Sequence, residues 1–380
     1  MTLWRSPLHR TPLHQFHVDA GAKMVDFAGW EMPLIYRGVF EEHRQVRSSA
    51  GMFDVSHMGR VSVKGRHARR FLERLCTRRI SDMQAGQCRY SLVCNERGGV
   101  RDDVLVYRMD EDDFLLVVNA SNREKLLGHF EQVRGDLSVN IEDRTLQTAM
   151  VALQGPKAME IIGHFSKEIP TLKRYRFAVK NLLVMKIIVS RTGYTGEDGV
   201  EAILPAGAIG MAMKLMLKDF DPNSETSAIK PAGLAARDTL RLEAGMPLYG
   251  HELGEDMNAL GAGVDFAIAM DKADVEGGEP FVGMEALKAT QAKGGPPKKV
   301  VGLHIEGKRT ARQGMVVQRD GRAVGEVTSA CMSPTLERVI AMAWVDADQA
   351  APGTSLRIST GKDAVLEAVV APLPFYKAGK

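Results

Sequence analysis

The segment Gln291-Ala-Lys-Gly-Gly-Pro-Pro-Lys-Lys299 divides the chain into two kinds of pattern. Two glycines followed by two prolines suit neither a helix interior nor a central strand, so a linker is expected over 291–299. Beyond it, short apolar runs recur at Val300–Glu306, Met315–Gln318, Ala323–Thr328, Arg338–Val345, Ser355–Ile358 and Val365–Val370, separated by turn residues. That spacing predicts a small antiparallel barrel or sandwich of about 80 residues. Before the linker, helix and strand patterns alternate. Gly59–Gly65 reads as a strand and Arg66–Arg79 as a helix. Phe71, Leu72, Leu75 and Cys76 face inward on that helix, and Arg66, Arg69, Arg70, Arg74, Arg78 and Arg79 form a basic outer face. Val100–Tyr107 and Phe114–Asn119 read as a hairpin, followed by an amphipathic helix over Arg123–Val133. Strand-like runs at Ala149–Leu153 and Leu182–Ser190 flank a helix near 156–165. A methionine-rich helix is expected over 206–219, with Met211, Met213 and Met216 as core. A last helix spans Gly233–Ala244. The fold class is α+β with an all-β tail.

Composition narrows the functional classes. With 380 residues, 44% apolar and 26% charged, the chain has the make-up of a multi-domain globular protein. A net charge of +3 gives no electrostatic case for nucleic acid. The four cysteines, Cys76, Cys88, Cys94 and Cys331, form no C-x-x-C pair, which disfavours a structural zinc site and fits a reducing compartment. The N-terminus carries no apolar signal core, and no apolar run approaches the ~18 residues of a spanning helix. A cytoplasmic location is expected, or the mitochondrial matrix for a processed eukaryotic protein. G-x-G-x-x-G after a strand, the P-loop, G-x-S-x-G and H-E-x-x-H are all missing.

Four stretches carry chemistry. Asp102-Asp103 follows the Gly98-Gly99 turn at the start of an apolar strand, where neighbours point to opposite faces. One carboxylate is therefore expected inside, either to orient a substrate nitrogen or as a turn cap paired with Arg101 or Arg108. Arg191 to Glu201 packs three glycines, three acids and Tyr194 after a strand, which suits a ligand loop or a wide turn. Arg237 and Arg241 lie one helical turn apart, either to grip a carboxylate or to pair with Asp238 or Glu243. Asp54-Val-Ser-His-Met58 offers Ser56 and His57, an isolated histidine being more often a hydrogen-bonded structural residue than a catalyst.

In order along the chain, these stretches resemble the aminomethyltransferase (T-protein) family of the glycine cleavage system. The resemblance rests on Arg10-Thr-Pro-Leu13, Lys23–Trp30, Met52–Met58, Gly98–Asp103, Val118-Asn119, Leu153–Pro156, Arg191–Gly199, Gly233–Asp238, Arg241–Gly245 and Leu248–Gly250. Val327–Ser329, Ser333–Leu336 and Pro374–Tyr376 extend it into the tail. It implies a three-domain cloverleaf around a central folate channel. The expected divisions are 1–50 with about 140–290, an inserted domain at 51–139, and a barrel domain at 300–380. It also implies transfer of the one-carbon unit from the aminomethyl-lipoyl arm of H-protein to tetrahydrofolate, releasing ammonia and forming 5,10-methylenetetrahydrofolate. Tetrahydrofolate is a co-substrate in this reading and the lipoylated H-protein the partner, with no metal, nucleic acid or membrane. By match to the family's motifs, Asp103 is the catalytic position, Glu201 holds the pterin edge and Arg237 holds the glutamate carboxylate. Met58, Tyr90, Asn119, Tyr194 and Tyr376 match pocket positions. The basic 66–79 face is expected to guide the acidic carrier. Phe266 and Ala330 depart from the residues most common at their positions. The alternatives are a folate-dependent demethylase of the same fold and a folate-binding relative without transferase activity. The iron–sulfur repair relatives carry Lys-Gly-Cys-Tyr where this chain has Arg191-Thr-Gly-Tyr194.

Overall fold

A computed structural model describes residues 7–182, 185–217, 224, 226–361 and 364–379. By packing, the chain forms two compact units. The first comprises Met1–Arg60, Asp143–Gly193 and Glu197–Asp238; the second comprises Val61–Glu142, Tyr194–Gly196 and Thr239–Lys380.

The first unit is built on a six-stranded sheet. Its central strands are Ala50–Asp54, Thr148–Gln154 and Gly199–Pro205, the last two antiparallel in register from Thr148↔Pro205 to Gln154↔Gly199. Helix Ala158–Gly163 lies in the expected place but is shorter, and helix Ile209–Leu217 follows a turn of 3₁₀ helix at Ala206–Ala208. Met213 enters the core, whereas Met211 is nearly half exposed; the end of the 206–219 stretch lies outside the described residues. The glycine-rich stretch at 21–30 is a hairpin of Lys23–Phe27 and Trp30–Ile35. Alternation was too weak there to be read from sequence.

The second unit contains a second sheet and the barrel. Strands Gln87–Cys94, Val100–Asp110 and Asp113–Val118 run antiparallel. Helix Ala68–Leu75, shorter than expected, buries Ala68, Phe71, Leu72 and Leu75 completely. Each large apolar side chain buried in this way contributes about 1.5–3 kcal/mol. The Gly98-Gly99 turn is forced by close approach: Gly98 has φ +79°, and a Cβ on Gly99 would lie 1.8 Å from the Glu255 carbonyl oxygen. All six expected tail strands are present, from Lys298–Ile305 to Val365–Ala371, closed into an antiparallel barrel. Leu303, Val317, Val327, Val339, Ala341 and Ile358 fill its core.

Two buried ion pairs fasten segments within this unit. Lys272 Nζ lies 2.6 Å from Glu73 Oε2 and donates to the carbonyls of Glu73, Cys76 and Arg78. Arg241 Nη1 donates to Glu252 Oε2 at 2.9 Å and Nη2 to Ser329 Oγ at 2.7 Å, which ties the helix end to the barrel. Arg241 is therefore an internal strut, with Glu252 as an ion-pair partner. No helix among the described residues is long and apolar enough to cross a membrane.

Candidate active site

Strand alternation gives the two aspartates different exposure, but it does not send their carboxyls apart as expected, because both reach the same Asn119 amide. Asp102 is fully buried and Asp103 partly exposed. Asp102 Oδ1 accepts from Asn119 Nδ2 (2.8 Å) and Asn122 Nδ2 (2.6 Å), and its Oδ2 accepts from the Asn119 backbone N–H (3.0 Å). Asp103 Oδ1 accepts from the same Asn119 amide at 2.8 Å, and Tyr90 Oη donates to Asp103 Oδ2 at 3.0 Å. Tyr90 reaches Asp103 because it sits diagonally across the strand pair, two residues before Leu92, which opposes Asp103. Arg101 pairs with Glu96 and Arg108 binds the Met83 carbonyl, so neither takes the turn-cap role.

Both aspartate carboxyls are raised above the usual range. Burial is the main cause for each, and the neighbouring charge of Asp103 adds to it for Asp102. Both Asp102 oxygens are occupied by N–H donors. Asp103 accepts one N–H, from Asn119, and one O–H, from Tyr90. The Tyr90 phenol is pushed well above its usual value by burial and by Asp103, with Tyr194 contributing. Tyr194 donates its hydroxyl to the Pro247 carbonyl. Phe266, 60% exposed, lies against Tyr90 with ring centroids 5.8 Å apart. Four of the expected residues, Asp103, Tyr90, Asn119 and Tyr194, thus gather in the second unit. Tyr376, in the same unit, is fixed by its backbone N–H to the Glu243 carbonyl at 2.8 Å.

The first unit holds the others. Glu201, 8% exposed on strand Gly199–Pro205, accepts from Thr192 Oγ1 at 2.5 Å. The loop before it is shaped by Gln154, whose Nε2 donates to the carbonyls of Thr192 and Val200. A Cβ on Gly193 would lie 1.8 Å from Gln154 Oε1, which explains one of its glycines. Arg191 is spent on Asp198 in this loop. Arg237 lies on helix Leu234–Glu243 with its guanidinium carbon 6.0 Å from the Phe53 ring centroid. Gly233, just before that helix, donates its N–H to Glu42 Oε2 at 2.8 Å. Met58 is half-buried at the end of the 54–58 turn.

Among curated proteins, the chain is 46% identical to the aminomethyltransferase of Rubrobacter xylanophilus, covering 98% of this chain and 95% of that protein. It is 42% identical to that of Desulfitobacterium hafniense, covering 97% and 98%. The GCVT N-terminal domain family matches residues 13–272, and the glycine cleavage T-protein C-terminal barrel domain family matches 298–377. The chain belongs to the glycine cleavage T-protein family. The crystal structure of glycine cleavage system aminomethyltransferase T from Bartonella henselae superposes with a TM-score of 0.87 at 32% identity, covering 97% of this chain and 98% of that one.

Within this T-protein family member, three site features escaped the sequence. Arg60 is completely buried and cups the 54–58 turn. Its Nη1 donates to the Ser56 carbonyl (2.7 Å) and the Met58 carbonyl, its Nη2 to the carbonyls of Thr145 and Thr148, and its Nε to Thr148 Oγ1. A buried relay runs from Tyr36 Oη to His17 Nδ1 (2.7 Å) and from His17 Nε2 to Asp54 Oδ2 (2.9 Å). His57 departs from the hydrogen-bonded structural role, because its buried Nδ1 has no hydrogen-bond partner among the described residues. Local spacing could not have shown the first two, since Thr145 and Thr148 lie 85–88 residues from Arg60, and His17 lies 37 from Asp54. The basic face at 66–79 also differs from a bare docking patch. Glu279 pairs with both Arg70 and Arg74, and Asp271 pairs with Arg79.

Proposed function

We propose that this aminomethyltransferase transfers the one-carbon unit of an aminomethyl-lipoyl carrier protein to tetrahydrofolate, releasing ammonia and forming 5,10-methylenetetrahydrofolate. The observation that carries the reading is the Asp103–Asn119–Tyr90 group. It presents one partly exposed carboxyl of raised pKa, held on both oxygens. In this role Asp103 hydrogen-bonds the folate and orients the nitrogen that attacks the carrier-bound methylene. Asn119 and Tyr90 fix the carboxyl so that little reorganisation is needed in the transition state. Glu201 takes the N–H donors of the pterin edge, and Thr192 fixes the carboxylate that does so. Arg237 receives the anionic glutamate end, as a guanidinium fork does best. Met58, Tyr194 and Tyr376 line the folate. The thiol leaving group departs on the carrier's own arm, so no covalent enzyme nucleophile takes part. The lipoylated H-protein is the proposed donor, and the cytoplasm or mitochondrial matrix the proposed compartment.

The test is methylenetetrahydrofolate production from tetrahydrofolate and aminomethyl-loaded H-protein, with ammonia counted in parallel and an established aminomethyltransferase as control. Equal amounts of both products are expected. No product, with the control active and tetrahydrofolate still bound, would move the assignment to a demethylase with a small-molecule donor.

A further inference from the structure

Asp102 is the fully buried member of the aspartate pair, and no step of the proposed transfer touches it. It lies on the face of strand Val100–Asp110 that also carries Val100, Val104 and Val106, all buried. Period-two alternation asks for another apolar residue at that position. A carboxyl placed there loses its hydration, and donors from the protein must replace it. The strain shows in its pKa, which is raised by burial and by the charge of Asp103.

Two of the three donors come from a single residue. Asn119 gives its backbone N–H to Asp102 Oδ2 at 3.0 Å and its Nδ2 to Asp102 Oδ1 at 2.8 Å. Held at backbone and amide together, Asn119 has little torsional freedom left. The second hydrogen of the same amide goes to Asp103 Oδ1 at 2.8 Å. The reverse orientation would set the amide oxygen against two carboxyl groups, so the aspartates decide between them which way the amide faces. Asn122 completes the arrangement. It stands at the N-cap of helix Arg123–Arg134, where an asparagine ordinarily accepts a backbone N–H of the first turn. Here its side chain makes no capping bond, and its Nδ2 donates to Asp102 Oδ1 at 2.6 Å. A contiguous path therefore runs from Asn122 through Asp102 and Asn119 to the Asp103 carboxyl, whose other oxygen accepts from Tyr90. Without Asp102, the Asn119 amide is free to turn away from Asp103 Oδ1.

We propose that Asp102 is a positioning residue for the transfer reaction: it fixes the Asn119 amide and, through that amide, the orientation of the Asp103 carboxyl. This rests on the reading above in which Asp103 orients the folate nitrogen.

The experiment uses the full-length enzyme with tetrahydrofolate and aminomethyl-loaded H-protein. It compares wild type, Asp102→Asn, Asn119→Ala, Asn122→Ala and the double variants of Asn119→Ala with each of the other two. Turnover is expressed per folded molecule, counted by the stoichiometry of tetrahydrofolate binding, and unfolding midpoints are measured alongside. Asp102→Asn keeps the size and removes the charge. It and Asn119→Ala are each expected to lower kcat about tenfold, with KM for tetrahydrofolate staying within about threefold. Their combination should be no slower than the slower single variant, whereas independent effects would multiply to about a hundredfold. Asn122→Ala loosens Asp102 without touching Asp103. It should lower kcat about threefold in the wild-type background and have no further effect in Asn119→Ala. A link of purely structural purpose would lower the unfolding midpoint of Asp102→Asn and leave its kcat within about twofold of wild type. That result, or a loss of about a hundredfold in the double variant, would overturn the proposal. Should Asp102→Asn fail to fold, Asn122→Ala carries the test, and an unchanged kcat there would overturn it. No product from wild type, with an established aminomethyltransferase active, would remove the transfer reading itself.

Discussion

Glu73 and Lys272 are both fully buried and lie 2.6 Å apart, with the ammonium also donating to three carbonyls. Burial lowers the Lys272 pKa, and Glu73 pulls it back. Asp102 and Asp103 are also shielded, but the group they share a donor with is a neutral amide, Asn119. The first cluster cancels its charge internally and holds two segments together. The second keeps two like charges within reach of each other and makes up the difference with N–H and O–H donors. The contrast teaches how a strut differs from the proposed site in this chain. A strut finishes its electrostatics by itself, whereas the aspartate pair is left with raised pKa values, as the proposed role of Asp103 requires.

The contrast is broken most directly at Lys272. Replacing it with Met strands the Glu73 carboxylate, and breaking a buried pair from one side costs about 3–5 kcal/mol. Urea unfolding should show that loss, and Lys272→Met combined with Glu73→Gln should regain part of it. A loss below about 1 kcal/mol for the single change would mean the pair is not a strut. Asp103→Asn should do the reverse. Its turnover should fall tenfold or more, about 1.4 kcal/mol of transition-state stabilisation, with the unfolding midpoint near that of wild type. Near-normal kcat would remove Asp103 from the mechanism.

The pH dependence sharpens the same point. Folding raises the Asp103 and Asp102 pKa values, so the native state binds protons more tightly than the unfolded chain. The stability this contributes is complete below the ordinary aspartate range and is lost as pH rises through the raised range. Melting temperatures taken from pH 4 to 8 should show Asp103→Asn gaining on wild type as pH rises. The wild-type acid limb of kcat should lie above the ordinary aspartate range and vanish in the variant. Parallel melting curves would mean the carboxyls are not raised by folding. The smallest effect belongs to an ion pair near the surface. Glu279→Gln weakens two arginine contacts that water already screens, and should cost less than about 1 kcal/mol by urea unfolding. A larger loss would place Glu279 among the struts.

What could be read from the sequence follows from the range of the forces involved. The six barrel strands were legible because period-two alternation and turn residues are local signals. The greater burial of one aspartate of the 102–103 pair was legible for the same reason, but the shared Asn119 donor was not. Helix ends were less so: the arginines of 66–79 suggested a helix longer than Ala68–Leu75 because propensity does not mark where packing stops. Partners were not legible. Lys272 meets Glu73 across 199 residues, and Gln154 fills the space that Gly193 leaves open. Neither spacing nor composition carries such information. His57 looked like an ordinary core histidine because sequence shows a residue's identity but not whether its neighbours leave it a partner.

The barrel is closed by its last strand. Lys298–Ile305 pairs with Arg338–Asp346 on one side and with Val365–Ala371 on the other. During synthesis the opening strand must therefore wait, one flank bare, until Val365–Ala371 has been added. A premature stop before Val365 would leave two unpaired edges facing solvent, the kind of surface that recruits other chains. Shortened products of this gene should thus be found in aggregates or degraded, and not as partly active enzyme.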